Sequence, residues 1–448
     1  MKKLFIMLTL VIVSLFAMVG CDGNKDYGST VHHELTPVAA WEERKAFNFF
    51  WGTQEVNGYG IGLIPDRYPD NGMASVASVG FGLAAFPIGI VNGWITYDEG
   101  YDRALLTLKA MKELETVNGF YYHFYGTTTG IPLENTEVSC IDTAILLCGA
   151  LFAGEYFGGK VEDLAQDIYE KVNWPTYINP NTNQFYMAHK PWLPEGKQYE
   201  GAWDVYGEQL MMYFLGAGSP TYPIGKEVYD AFRKDVGFYD KYQVIYSWFG
   251  SIFTYQFSHA FIDFRNIEDA NGINWYDNSV QATYAAQQFC IDNAYDEATS
   301  KGFKTFSNVS WGLTACDYPG EGGYNGFFGA SPRGHKETDS TPEKERNDGT
   351  IALCGAIGSL PFAPDIVLPT MDYYYDALDG KLRSGYGFID SYNLEGEKVW
   401  MSTDVIGIDK GISLLMIENY RSELVWEVFM NCDFMEKAID VLEFTETK

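Results

Sequence analysis

Hydrophobic residues recur at intervals of three and four along most of the chain, a spacing that predicts α-helices. Some stretches, such as TAILLCGALFAGEYF, are apolar on nearly every side and predict buried helices. Others, such as YDRALLTLKAMKELETV, keep their charges on one face and predict helices at the surface. Helices are predicted for roughly residues 37–52, 73–91, 97–116, 137–157, 160–172, 204–217, 225–235, 250–264, 275–301, 347–359, 369–378, 409–419 and 421–444.

Buried and amphipathic helices roughly alternate along the chain. This alternation predicts an all-α fold, a double-layered α/α toroid whose inner ring lines a pocket while its outer ring faces water. An α-solenoid is the alternative, but the sequence has no self-similarity at the roughly 34- to 45-residue period of such repeats.

The predicted connections are long and rich in glycine, asparagine, aspartate and aromatic residues. Long connections in a compact domain are usually functional or disordered, and the aromatic content favours ordered loops that build a site. The segments concerned are 52–72, 117–136, 173–203, 302–346 and 379–408.

The first residues predict export. Lys2 and Lys3 precede an almost unbroken apolar run, and Gly20 then precedes Cys21. We interpret 1–20 as a lipoprotein signal peptide, Cys21 as the lipid-attachment site and 21–36 as a polar tether. Ordinary cleavage with an incidental Cys21 is the alternative. Residues 37–448 have no internal linker and predict one domain, anchored in the periplasm or at the cell surface.

The chain has 448 residues and a formal net charge of −29, which argues against nucleic acid and anionic membranes as partners. Aromatic residues make up 16% of it. Aromatic rings and carboxylates together suit neutral sugars, although most aromatic side chains belong to the core of any protein. The cysteines and histidines form no zinc-ligand spacing, so we expect neither a metal nor a cofactor, and the oligomeric state stays open.

Hydrolysis of a glycosidic bond needs a proton donor for the leaving oxygen and a carboxylate that attacks or activates water. The first candidates are Asp204 and Glu208, four residues apart on a predicted helix and flanked by Trp203 and Tyr206. The alternative is structural: Asp204 caps the helix and Glu208 interacts favourably with its dipole.

Glu134, Glu137 and Asp142 form a second acidic group at the start of a strongly apolar helix. An unpaired Asp142 would be costly inside that helix, so it either bonds to backbone or faces the pocket. Glu137 could instead cap the helix.

Two further carboxylates lie at loop-to-helix passages. Asp66 and Arg67 stand beside Trp51 of the first helix, as an ion pair or as sugar ligands. Asp390 lies between aromatics in a late loop that Asp404 and Asp409 follow, and Asp409 could simply cap the next helix.

Other polar and aromatic side chains could line sugar subsites. His259 and Asp263 are polar residues among aromatics, and for His259 a satisfied histidine in the core is the favoured alternative. His123 and Arg333 lie in loops and are better binding candidates. The predicted substrate-binding residues are Trp51, Asp66, Arg67, Tyr121, His123, Trp203, Asp204, Trp248, His259 and Arg333.

Several stretches in order resemble the putative glucoamylase-like family of bacterial proteins, which includes endo-β-1,2-glucanases. They are AFNFFW near 46, GLIPDR at 62–67, ASVASVGFGLAA at 74–85, GFYYHF at 119–124, EVSCIDTAILLCGAL at 137–151, WDVYGEQLMMYFLGAGSPTYPI at 203–224, SWFGSIFTYQFSHAFIDFR at 247–265 and IGIDKGISLLMIENYRS at 406–422.

This resemblance implies a single (α/α)6 toroid with a central cleft and an inverting mechanism without a metal. It also implies sites around Glu137 and Asp142, around Glu208 and around Asp390. The chain departs from the expected pattern at Tyr125-Gly126, where an acidic residue is expected, and at Lys410, where glutamine is expected.

The sequence therefore predicts an inverting glycoside hydrolase acting on a glucan, with β-1,2-glucan favoured. Glu208 is the predicted general acid and Asp390 the predicted base, with Glu137 or Asp142 as the alternative base. A non-catalytic glycan-binding lipoprotein would share the anchor, the acidity and the aromatics. A polysaccharide lyase would need a strongly basic cleft, which the charge of −29 argues against.

Overall fold

The computed structural model describes residues 27, 32–56, 62–247, 250–320, 323–326, 329–330 and 347–447, and helices account for 46% of them. The α-helices in these residues are α1 Pro37–Val56, α2 Val76–Val91, α3 Tyr97–Glu113, α4 Cys140–Phe157, α5 Gly159–Tyr169, α6 Leu210–Gly218, α7 Lys226–Asp230, α8 Trp275–Asp292, α9 Leu353–Ile357, α10 Pro364–Gly380, α11 Gly407–Ser422, α12 Leu424–Met430 and α13 Asp433–Leu442. Single turns of 3-10 helix cover Trp174–Tyr177, Ile252–Tyr255 and Ser258–Ala260.

The strands are two to four residues long and pair antiparallel in small sheets, so the predicted all-α class is confirmed at this level. They are β1 Arg67–Tyr68, β2 Met73–Ser75, β3 Thr116–Val117, β4 Phe120–Tyr121, β5 Phe124–Gly126, β6 Val138–Ser139, β7 Ala188–His189, β8 Tyr199–Glu200, β9 Val236–Tyr239, β10 Tyr242–Ile245, β11 Ile267–Glu268, β12 Cys316–Asp317, β13 Tyr324–Asn325, β14 Ile351–Ala352, β15 Arg383–Ser384, β16 Gly387–Phe388, β17 Ser391–Asn393, β18 Trp400–Met401, β19 Val405–Ile406 and β20 Thr445–Glu446. The sheets are β1–β19, β2–β5, β3–β4, β6–β7–β8, β9–β10, β11–β20, β12–β13, β14–β17–β18 and β15–β16.

Several predicted helices were wrong in extent or type. Those predicted over 225–235, 275–301 and 347–359 are shorter, and the one predicted over 421–444 is two helices, α12 and α13. The helix predicted over 204–217 begins only at Leu210. Val205 forms a β-bridge with Arg233, whose N–H donates to Asp204 O at 2.8 Å, and residues 206–209 form bends and turns before the helix. The helix predicted over 250–264 is two 3-10 turns. Gly250 has a φ of +71°, and the Ile252 N–H bonds to Leu313 O at 3.0 Å instead of within a helix.

The helices fall into the two kinds that the hydrophobic pattern predicts. Helices α2, α4, α6 and α11 are buried along most of their length, whereas α3, α5 and α13 bury a single stripe. Among the described helices α4 is the one long and apolar enough to cross a membrane, but 83% of that stretch is buried in the protein. It is therefore a core helix.

The buried helices pack on one another in sequence. Helix α2 packs against α4 and α11, α4 packs against α6, and α11 packs against α9. Glycines allow the closest approach, between α2 and α4: a Cβ on Gly149 would lie 1.9 Å from Gly80 O. The amphipathic helices α3, α5 and α13 cover α2, α4 and α6, respectively.

Short strands deliver the chain into four of the buried helices. Strands β2, β6, β14 and β19 run directly into α2, α4, α9 and α11. Strand β1 pairs with β19, and the Gly407 N–H donates to Asp66 O at 2.7 Å, so the starts of these helices are tied to loop backbone. Residues from all four N-terminal ends line one cavity.

The described part of the predicted tether lies on the domain. The Tyr27 hydroxyl donates to Glu155, and the His33 ring stacks on Tyr420 with the centroids 4.8 Å apart. The predicted signal peptide and Cys21 lie outside the described residues.

Candidate active site

A cavity of about 480 Å3 lies at the N-terminal ends of the buried helices. Its wall combines acidic and basic side chains with an apolar surface. The lining residues are Asp66, Arg67, Ser75, His123, Phe124, Ile141, Asp142, Ile145, Glu208, Phe253, Gln256, Phe257, Thr314, Ala315, Tyr324, Cys354, Ile406, Ile408, Asp409 and Ile412.

Glu208 lies in the turn that leads into α6. The Ser258 hydroxyl donates to the Glu208 carbonyl at 2.6 Å and accepts from the Met211 N–H at 3.0 Å, which fixes this turn against the 3-10 segment. Burial raises the pKa of Glu208 to about 7, and the charge of Asp142 adds to the rise. A carboxyl with this pKa holds a proton for much of the time near neutral pH.

The same carboxyl borders a second cavity. This second cavity has a volume of about 380 Å3 and is lined by Trp203, Asp204 and Tyr206, among others. Glu208 and Phe253 line both cavities. Glu208 therefore stands on the wall that the two spaces share.

The predicted roles of Asp204 as a helix cap and of Glu208 as a residue one turn into that helix are wrong. Gln209 precedes the first helical residue, and Asp204 pairs with Arg233 at 3.3 Å in a half-exposed ion pair. Asp204 nevertheless lines the second cavity with Trp203, whose ring nitrogen is buried.

His123 joins the carboxylates of the second acidic group. Its Nδ1 lies 2.9 Å from Glu137 Oε1, and its Nε2 lies 3.6 Å from Asp142 Oδ1. Burial lowers the pKa of His123, but the charge of Asp142 and the hydrogen bond to Glu137 outweigh this effect and raise it to about 9. The imidazole is therefore a cation at neutral pH.

Asp142 lies in the first turn of α4 and lines the cavity. Its N–H donates to Ser139 Oγ at 3.2 Å, and the Ser139 hydroxyl bonds to Asp142 Oδ2 at 2.5 Å. Asp142 thus has both of the features that the sequence left open, local hydrogen bonds and exposure to the pocket.

Arg67 forms ion pairs with three carboxylates. Its guanidinium lies 3.0 Å from Asp66 Oδ2, 3.1 Å from Asp404 Oδ2 and 3.5 Å from Asp317 Oδ1. Asp66 and Arg67 both line the cavity, so the two readings of this pair, structural and sugar-binding, are compatible.

Asp390 and Asp409 form a buried carboxyl pair. Asp390 Oδ2 accepts from the Asp317 N–H and from the Ser391 hydroxyl, each at 2.8 Å. The two carboxyls also hydrogen-bond to each other, which requires a proton between them, and the Cys354 thiol is a further side-chain partner of Asp409. Burial and the charge of Asp409 raise the pKa of Asp390 well above its ordinary value, and burial raises the pKa of Asp409 to about 6.

The cavity wall contains Asp409 and not Asp390, which is 1% exposed. The predicted base therefore reaches the cavity through its partner. Sequence reasoning treated Asp409 as a helix cap, because an acidic residue in the first turn of α11 is the usual signature of a cap.

Three predicted substrate-binding residues lie away from the cavity. Trp51 packs between Phe47 and Phe86 and carries the Arg103 guanidinium 3.8 Å above its ring. These contacts correct its predicted sugar-binding role.

Tyr121 and His259 belong to the core. The Tyr121 hydroxyl donates to Met111 O at 2.9 Å. His259 bonds to Ser279 Oγ at 3.0 Å, is 1% exposed, and has a pKa that burial lowers to about 3. His259 thus follows its core alternative, and the buried Tyr121 does not line the cavity. Trp248 and Arg333 lie outside the described residues.

Sequence reasoning missed several residues in and behind the cavity wall. Asp317, which does not line the cavity but bonds to Asp390 and pairs with Arg67, comes from a segment predicted only as a loop. Gln256, Phe253 and Tyr324 also line the cavity, and an isolated Phe, Gln or Tyr carries no signal of a site in one sequence. Within the described ranges, no group of three or more His, Cys, Asp or Glu is placed to hold a metal ion.

Comparisons with known proteins bear on this site. The family described as "Putative glucoamylase" matches residues 200–433, which include Glu208, Asp390 and Asp409. An exo β-1,2-glucooligosaccharide sophorohydrolase (non-reducing end) from Parabacteroides distasonis is 26% identical over 440 residues, covering 89% of this chain. The match covers 56% of the length of that relative.

Solved structures share the fold. A putative glucoamylase from Bacteroides uniformis superposes with a TM-score of 0.79 at 24% identity, covering 92% of this chain and 99% of the other. An endo-β-1,2-glucanase from Chitinophaga pinensis, in complex with sophorotriose and glucose, superposes with a TM-score of 0.78 at 24% identity and the same coverage.

Proposed function

Because the chain belongs to the putative glucoamylase family, we propose that it is a glycoside hydrolase that cleaves β-1,2-glucan or its oligosaccharides. The observation that carries the proposal is Glu208, a carboxyl with a pKa of about 7 on the wall between two cavities. A glycosidic bond between sugars bound in the two cavities would place its oxygen beside a proton donor. The sophorohydrolase relative and the glucanase complexed with sophorotriose support the choice of a β-1,2-linked glucan.

The proposed chamber is the centre of an (α/α)6 toroid. Its inner ring would run α2, α4, α6, the 3-10 segment 252–260, α9 and α11. Each neighbouring pair packs or hydrogen-bonds, and α11 returns to α2. In a ring of six, α6 and α11 are opposite, so Glu208 and Asp409 would face each other across the substrate.

This opposition suits an inverting reaction. Glu208 donates its proton to the glycosidic oxygen as the bond from that oxygen to the anomeric carbon breaks. Water attacks that carbon from the other face, and the pair formed by Asp409 and Asp390 takes up the proton that the water loses. Protons balance, because the acid loses one and the base gains one. Water and substrate suffice, so the proposed reaction is metal-independent.

Asp142 fits the base role less well. Its charge raises the pKa of Glu208, which places the two carboxyls near each other, and α4 neighbours α6. An inverting pair needs a gap of roughly 6.5–9.5 Å to admit water. We assign Asp142, His123 and Arg67 to holding sugar hydroxyls, and Trp203 to stacking on a ring in the second cavity.

We also propose that the protein is an exported lipoprotein anchored through Cys21 in the periplasm or at the cell surface. The support is the signal-like sequence before Cys21. The charge of −29 disfavours direct adsorption to an anionic membrane, so the lipid would be the sole attachment.

The test is incubation of the protein lacking residues 1–20 with a panel of linkage-defined glucans, followed by product identification. We expect β-1,2-glucan or its oligosaccharides to be hydrolysed with inversion at the anomeric carbon. Glu208→Gln, an isosteric change, should lower kcat by about 10²–10⁴-fold or more while the melting temperature stays near that of the wild type.

Three other results would count against this assignment. Binding without turnover would identify a glycan-binding protein. Hydrolysis of another linkage alone would refute β-1,2-glucan as the substrate. Full activity of Glu208→Gln would show that Glu208 is not the general acid.

A further inference from the structure

Two buried or partly buried ion pairs join α1 to α11, one near each end of α11. Lys410 and Glu42 meet at the start of α11 with 2.5 Å between Nζ and Oε1, and both side chains are nearly inaccessible, at 3% and 0% exposure. Arg421 and Glu43 meet near its end at 3.3 Å. Removing a charge from water is costly, so a fully buried pair calls for an explanation beyond general stability.

Glu42 contacts two segments at once. While Oε1 faces Lys410, Oε2 accepts the Phe388 N–H at 2.8 Å. Gly387 leaves the space for this contact, because a Cβ there would lie 2.4 Å from Glu42 Oε2 and its φ is +97°. One carboxylate thus holds the backbone of β16 and the ammonium group of α11.

Both segments lead directly to the carboxyl pair. Lys410 follows Asp409 in the chain, and Phe388 precedes Asp390 by two residues. We propose that the buried pair of Lys410 and Glu42 positions Asp390 against Asp409. Given the proposed hydrolase function, this pair keeps the two carboxyls able to accept a proton as the catalytic base. Neither Lys410 nor Glu42 lines the cavity, so they are positioning residues and would not touch the substrate.

The charge of Lys410 also acts on its neighbour. The groups around Asp409 are Asp390, Asp317 and Cys316 from the β12 and β16–β17 segments, Cys354 from α9, Tyr324 from β13 and Glu42 behind Lys410. Helix α2, which packs on α11, has no titratable residue. The Lys410 charge lowers the pKa of Asp409, against the effect of burial.

The test is the pH profile of kcat/KM for the Lys410→Gln variant on a β-1,2-glucooligosaccharide. Loss of the ammonium raises the pKa of Asp409, so its ionised form is reached only at higher pH. We expect the acidic limb to move up by about one pH unit, equivalent to a tenfold loss below the limb. KM should change little, because the cavity wall is unaltered.

A matched control and a second variant guard against a simple folding defect. Arg421→Gln breaks the other pair between the same two helices and should lower the melting temperature without moving the acidic limb. Glu42→Gln/Lys410→Gln removes both buried charges together, so no charge is left unpaired. It should fold and shift the limb in the same direction as the single variant.

An unmoved acidic limb in the double variant, with an active wild type, would overturn the positioning role and leave the hydrolase function standing. A limb shift of equal size in Arg421→Gln would also overturn it. A wild type that is inactive on every β-1,2-glucan would refute the proposed hydrolase function, and the positioning role would fall with it.

Discussion

Carboxyl groups on one cavity wall differ in their protonation because their neighbours differ. Glu208 has burial and the charge of Asp142 acting in the same direction, which raises its pKa to about 7. Asp409 is also buried, but it has Lys410 beside it and a partner in Asp390 that can hold the shared proton. Environments that separate the pKa values of two acids mark out an acid and a base.

The pH dependence follows from these values. The proposed acid Glu208 must be protonated, so kcat/KM should fall as pH rises through about 7. The proposed base Asp409 must be ionised, so kcat/KM should fall as pH drops through about 6. We expect a narrow bell with its maximum between these limbs, measured by initial rates on a β-1,2-glucooligosaccharide.

A control separates the two limbs. A β-sophoroside with a dinitrophenolate leaving group needs little help from an acid. Its basic limb should therefore flatten while its acidic limb stays. A profile that is flat across both pKa values for the natural substrate would contradict the assignment of Glu208 and Asp409.

At the scale of the element, the crossing of α2 and α4 decides where Asp142 stands. The two helices touch at Gly80 and Gly149, with no room for a side chain between their backbones. Ser75 at the start of α2 and Asp142 at the start of α4 both line the cavity, so the separation of these helices helps to set its width.

Substitution of Gly149 by alanine should push the helices apart. The new Cβ would lie 1.9 Å from Gly80 O, a backbone atom that cannot rotate away. We expect a loss of about 1–3 kcal/mol or more in the free energy of unfolding, measured by chemical denaturation, together with reduced turnover.

Gly154→Ala is the matched control on the same helix. Its nearest neighbours would be 3.2 Å away, and alanine favours the helix by up to about 1 kcal/mol. The loss in the free energy of unfolding should be far smaller for Gly154→Ala than for Gly149→Ala. Equal stability of the two variants would show that the close approach does not fix the helices.

At the scale of the whole molecule, the net charge and the proposed anchor act together. A protein of charge −29 is repelled by anionic lipid, and part of the predicted tether lies against the domain through Tyr27 and His33. Attachment would then depend on Cys21 alone.

Cys21→Ser in the full-length precursor should leave the domain folded and release it from the membrane fraction, as followed by fractionation and immunoblotting. The wild type should remain with the membranes in high salt, because a lipid anchor is insensitive to ionic strength whereas electrostatic adsorption is not. A wild type found in the soluble fraction, with Cys21 missing from the mature chain, would refute the anchor.

The hydrophobic pattern predicted the all-α class, many of the helix positions and the short segments that bear the acidic residues. Helical periodicity is a local property, so α2, α4 and α11 can be predicted from one sequence. The setting of Glu208 among aromatic residues could be predicted for the same reason, because its neighbours in sequence are also its neighbours in space.

Which carboxyls share a cavity, and which of them hold a proton, depends on contacts between segments that are far apart in the chain. In the sequence Asp409 has the position of a helix cap. In the structure Asp390, from a separate loop, lies beside it. Trp51 has the Arg103 guanidinium over its ring, and the hydrogen bond to Ser279 fixes His259 in the core, the alternative that its sequence had left open. Burial and pairing between segments far apart in the chain set these roles, and such contacts leave no periodic trace in the sequence.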